Sequence, residues 1–231
     1  MIRFPVAHLQ RELRALDALA AQYMTRSSQG RLGALADSLD RIRRGGQPKA
    51  WEILETEPLE TKVSEGAYQP GGSGRHHVYA HISWVWDVRP VDAKTVEVFD
   101  RATTRVTLYA DDILGVLSVD LGEVNAPGCF FHVQVSGGSD TELPLPKDFD
   151  VPRFPTLVAT PASVVEFVLS ELFQTNWSNH ASKHSSRTVW ISSQRLWWNR
   201  YLDWQKAQVR AAGYSPWVEL KRAIPDPDLF C

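Results

Sequence analysis

Cysteine is scarce in this chain. Its 231 residues contain two, Cys129 and Cys231, too few for a disulfide framework, so a reducing cytoplasm is the expected setting. Long apolar runs are missing as well. No window approaches the roughly 18 uninterrupted apolar residues of a membrane span. The start, Met1-Ile2-Arg3-Phe4-Pro5, turns at once into a charged amphipathic segment without the apolar centre of a signal peptide. No membrane partner is expected. Nor is there an excess of one charge: 25 Lys and Arg stand against 27 Asp and Glu, a net charge of −2. That excludes a uniformly basic nucleic-acid binder and leaves only local patches. A glycine-rich phosphate loop, a dinucleotide fingerprint, a nucleophile elbow and a paired-cysteine metal motif are all absent. These gaps argue against nucleotide-dependent enzymes, and no cofactor or metal is expected.

Tryptophan, by contrast, is plentiful, with nine residues. Trp190, Trp197, Trp198, Tyr201 and Trp204 all fall in the segment Arg187–Ala212. At helical spacing, Trp190, Trp197, Tyr201 and Trp204 make one stripe and Ile191, Trp198, Leu202 and Val209 a neighbouring one. So broad an apolar side belongs in a core or against another protein. Arg195, Arg200, Lys206 and Arg210 interleave with these rings. Basic and aromatic residues together can also grip single-stranded nucleic acid.

The rest of the chain divides by period. Leu9, Leu13, Leu16, Ala20 and Tyr23 share a helix face, and Leu32, Leu35, Leu39 and Ile42 share another after Ser27-Ser28-Gln29-Gly30. The second helix ends at Gly45-Gly46, as glycine after a helix does. Residues 1–46 therefore read as a helical hairpin and 47–74 as a linker or mobile loop. Residues 75–231 read as an α+β domain. From Arg75 the period becomes two. Strands are expected over His77–Val88, Lys94–Asp100, Thr103–Ala110, Leu114–Leu121 and Cys129–Ser136. Short connections favour an antiparallel meander. After a proline-punctuated stretch, Thr160 caps a helix that starts at Pro161 and runs to about Gln174. A polar break, Asn176–Ser186, precedes the aromatic helix, and the tail past Pro216 reads as loop.

Several side chains could carry chemistry. In a regular meander His77, Tyr79, His81, Arg105, Thr107, Tyr109, Ser118, Asp120, His132 and Gln134 share the polar face. His77, His81 and His132 are the candidate acid/base groups of a hydrolase; the competing reading is a face left to water. His180 and His184 stand one helical turn apart but lack the glutamate of a zinc-binding helix, so a solvated connection is expected. Cys129 would need a lowered pKa to act as a nucleophile. The order of helix, meander, proline-rich stretch and helices resembles that of ubiquitin-conjugating-type folds and their inactive relatives. For an active member that resemblance implies a cysteine-dependent transferase. Cys129, however, falls inside an expected strand, where that family's nucleophile does not sit.

The reading adopted is an α+β protein with an N-terminal helical hairpin, a five-stranded antiparallel meander and two C-terminal helices packed on one sheet face. The function expected of it is that of a non-catalytic subunit or adaptor in a bacterial cytoplasmic complex. The partner surface is expected at Trp190, Trp197, Trp198, Tyr201 and Trp204. The transferase, the hydrolase and a nucleic-acid binder using Arg195, Arg200, Lys206 and Arg210 are the alternatives.

Overall fold

The computed structural model describes residues 1–64, 77–122, 129–137, 154–156, 160–213 and 215–231. Their elements in chain order are β1 (Ile2–Pro5), α1 (Val6–Ala20), α2 (Arg31–Gly45), β2 (Lys49–Ile53), β3 (Leu59–Glu60), β4 (Tyr79–Pro90) and β5 (Thr95–Tyr109). They continue with β6 (Ile113–Leu121), β7 (Phe131–Gly137), β8 (Phe154–Pro155), α3 (Pro161–Lys183), α4 (Arg187–Ala211) and α5 (Pro216–Arg222). All the strands join one antiparallel sheet in the order β2-β4-β5-β6-β7-β8, with β1 beside β5 and β3 beside β4.

Strand alternation sorts the sheet into two faces. Ala80, Ile82, Trp84, Trp86 and Val88 of β4 are buried, and Ile82 lies beside Val106, which lies beside Leu117. This apolar face meets the helices. Leu9, Leu13 and Leu16 of α1, Leu32 and Leu39 of α2 and Val165, Val168 and Leu169 of α3 belong to the same core as the β4 residues. A ring cluster ties the layers together. Phe4 packs on Trp86, Trp197 and Phe230, and Phe131 packs on Tyr201, Trp204 and Phe230. Such rings bury large areas in edge-to-face and offset contacts. The α+β architecture and the two helices over one sheet face are thus present, on a sheet broader than the meander.

The region expected as a linker holds two of the extra strands. Trp51 and Ile53 of β2 and Leu59 of β3 turn into the core, so this short stretch buries apolar side chains after all. The hairpin joins the same core, and residues 65–74 of the expected linker lie outside the described residues. The separate strands expected around Asp100-Arg101-Ala102 are one strand, β5, with a register shift opposite Trp86 and Val88. Asp87 stabilises that irregularity. Its carboxylate accepts from the Arg101 backbone N–H at 3.3 Å and from the Arg101 guanidinium at 2.8 and 3.1 Å. A bulge so held needs no turn.

Thr160 and Pro161 do start α3, with the Thr160 hydroxyl accepting from Ser163 N at 3.2 Å. The polar break is nonetheless helical up to Lys183. The chain kinks at Gln174 (φ 40°, ψ −115°) and resumes, because Trp177 buries against Tyr23. The tail also differs from a simple loop. Ser215 caps α5, Arg3 N donates to the Pro227 carbonyl at 2.7 Å, and Phe230 is fully buried, whereas Trp217 is exposed. No helix among the described residues is long and apolar enough to cross a membrane.

Candidate functional site

The polar face is assembled much as alternation demands. Tyr79 pairs with Tyr109, His81 with Thr107, and Ser83 with Arg105; Arg105 in turn sits beside Ser118, and Ser118 beside Gln134. Asp120 lies opposite His132. His77 precedes β4, is exposed, and stands outside this ladder. Two histidine environments result. At one end the rings of Tyr79 and Tyr109 stack at 5.2 Å, and His81 lies 4.6 Å from Tyr109 with its Nε2 3.1 Å from Glu60 Oε1. His81 is half-buried, so its carboxylate-held ring still has an open side. At the other end His132 is buried. Its Nδ1 lies 2.8 Å from the Cys129 carbonyl, an acceptor only, so Nδ1 carries the hydrogen. Nε2 then faces the Gln134 amide at 3.3 Å and Asp120 Oδ2 at 3.6 Å. A general base must reach the proton that it removes, and a buried ring held this way serves orientation better than proton exchange.

Cys129 is buried just before β7, not within it. Burial pushes its thiol up, against a smaller opposing effect of Lys221. A thiol held protonated is a poor nucleophile. His180 lies in the last turn of α3 and His184 is its C-cap, their rings 5.2 Å apart. His180 Nε2 is 3.0 Å from the Leu19 carbonyl, and His184 Nδ1 accepts from Ser186 N at 3.1 Å. Both rings pack and cap. Among the described residues no group of three or more His, Cys, Asp or Glu could hold a metal ion.

The aromatic helix is mostly interior. Trp190, Trp197 and Tyr201 are 4%, 2% and 1% exposed, which removes those three from any partner surface; Trp198 and Trp204 are half-buried. Of the basic residues, Arg200 donates to the Cys231 carbonyl at 2.5 Å, while Arg195, Lys206 and Arg210 are exposed. The rings turn inward because each lies one or two turns from the next on the stripe that faces Phe4 and Phe131.

One group escaped the sequence reading: Glu12, wholly buried between α1, α3 and α4. Oε1 accepts from the Thr160 hydroxyl at 2.6 Å and Gln194 Nε2 at 2.8 Å, and Oε2 accepts from Trp197 Nε1 at 2.9 Å. Ser163 completes the network by donating to Gln194 Oε1 at 2.9 Å. Burial raises the carboxyl to about 7, although these bonds pull it down. The signal was available in the spacing. Glu12 stands three residues after Leu9 and four before Leu16, on the apolar face of α1. It holds three helices together.

Among the described residues, two hollows reach the surface beside α3. An apolar groove of about 460 Å³ lies between α3 and the β4–β6 end of the sheet, walled by Leu108, Leu114, Leu117, Phe167, Leu172 and Gln174 among others. A cleft of about 550 Å³ opens between α3 and α4. No family model, no curated protein and no solved structure matches this chain.

Proposed function

We propose that this protein is a non-catalytic subunit or adaptor of a bacterial cytoplasmic complex, and that it receives an apolar anchor from a partner protein in the groove beside α3. One observation carries the reading. Apolar side chains of both α3 and the sheet continue beyond the packed core, leaving Phe167 of α3 43% and Leu114 of β6 50% exposed on the walls of that groove. Large apolar side chains gathered on a concave surface are a feature of interaction sites, and a buried anchor there supplies much of the binding energy. Gln174 adds to it: a non-glycine residue at φ 40° borders the same groove, and strain of this kind concentrates at binding sites and switches. The unpaired thiols Cys129 and Cys231 are in keeping with a reducing compartment, and the Ala/Arg/Leu-rich start with a bacterial gene.

The state of Cys129 favours a binding role over a transferase, because the residue is buried and burial raises its thiol. A hydrolase would have to rely on His81, whose Nε2 already has Glu60 as a partner. The test is affinity purification from the native host with wild type, Phe167→Asp, Leu114→Asp, Cys129→Ser and His81→Ala. A partner found with wild type should be absent from both groove variants and retained by the other two. Thermal melts should show that all four stay folded. Retention of that partner by folded Phe167→Asp and Leu114→Asp would remove the groove from the account.

A further inference from the structure

The cleft between α3 and α4 has a composition unlike that of the apolar groove. α4 contributes Arg187, Trp190, Arg195 and Trp198 to it, and α3 contributes Glu166 and Trp177. On α4 Trp190 follows Arg187, and Trp198 follows Arg195, by three residues, so each cation neighbours an indole on the helix surface. Trp177 and Trp190 are buried, and Glu166 lines the cleft beside them. A carboxylate thus stands at the junction of the two helices. Trp198 is half-buried. Arg195 has no hydrogen-bond or ion-pair partner among the described residues, and Arg187 makes one 3.3 Å bond, to the Ser182 carbonyl. Most of the donors of both guanidiniums are therefore unused.

Three features narrow the ligand. Two guanidiniums against one carboxylate leave an excess of positive charge, which suits an anion, and arginine is well matched to phosphate. A half-buried indole offers a stacking surface for a flat ring. A carboxylate accepts through two oxygens, so Glu166 can receive paired N–H groups from a ring edge. The volume of about 550 Å³ lies within the range of small-ligand sites. We propose that this cleft binds a guanine mononucleotide, with the base against Trp198, its paired N–H edge on Glu166, and its phosphate on Arg187 and Arg195. Guanine is preferred because it presents adjacent ring and exocyclic N–H donors, a fork that a carboxylate can receive. No glycine-rich loop is needed, since the cations come from one helix. The site uses Glu166, whereas the groove uses Phe167 and Leu172, so either can fail without the other.

The test is titration of the full chain with GMP, AMP and inorganic phosphate, followed by tryptophan fluorescence and calorimetry. GMP should quench saturably with a Kd below about 1 mM and outcompete AMP, with phosphate alone much weaker. Arg195→Ala, at an exposed position, and Trp198→Ala, at a half-buried one, should each weaken GMP about tenfold while the protein stays folded by its melting curve. Glu166→Gln should abolish the preference for GMP over AMP, and Phe167→Asp should leave GMP binding as it was. Absence of saturable GMP binding to the wild type overturns the proposal. So does equal binding of inorganic phosphate, or full GMP affinity in folded Arg195→Ala and Trp198→Ala.

Discussion

Glu12 makes pH a direct probe of the helix junction. An ordinary glutamate titrates near 4.5, and burial in the folded protein moves this one to about 7. The folded state thus holds a proton that the unfolded chain has released. The resulting stabilisation is complete below pH 4.5, shrinks as pH rises, and is gone once pH passes about 7. With about 1.4 kcal/mol for each pH unit, the difference amounts to about 3 kcal/mol. The perturbation is Glu12→Gln, which retains the shape and cannot ionise. The amide oxygen can still accept from Thr160 and Gln194, but the amide nitrogen cannot accept from Trp197. That cost does not vary with pH, so the slope rather than the level is diagnostic. Urea unfolding at intervals from pH 4.5 to 8 should show wild type losing about 3 kcal/mol relative to the variant. Parallel curves for the two proteins would refute the assignment.

Other perturbations test other parts of the fold. Trp197→Ala should destabilise by about 3–5 kcal/mol, because the ring is buried and its N–H serves Glu12; a urea midpoint close to that of wild type would count against this packing. Gln174→Gly should raise stability by about 1 kcal/mol in the same assay, since glycine adopts a φ of 40° without the strain of a side chain. Asp87→Asn should remove an acid-dependent contribution. Arg101 holds the Asp87 carboxyl below its usual 3.8, so the pair stabilises above that pH and is lost as pH falls through the lower folded value. Melting curves of wild type and variant should therefore converge on acidification. In timed alkylation followed by mass spectrometry, exposed Cys231 should be labelled before buried Cys129.

The sequence carried the local physics. Period-two alternation put Tyr79, His81, Arg105, Ser118 and Gln134 on one sheet face, and Thr160-Pro161 marked the start of α3. These patterns are legible because side-chain direction follows from backbone period alone. What Asp100-Arg101-Ala102 does was not legible, since a turn and a bulge use similar residues and the choice rested on Asp87 across the strand pair. The continuation of α3 past Gln174 depended likewise on a pocket for Trp177 beside Tyr23, residues far apart in the chain. The stripe in Arg187–Ala211 announced burial or binding, but only the arrival of Phe4, Phe131 and Phe230 from three other segments decided that Trp197 and Tyr201 go inside. The same holds for Glu12, the groove and the cleft. Each is defined by what distant elements place around it, and a single strand of letters specifies its own faces without naming the neighbours that will cover them.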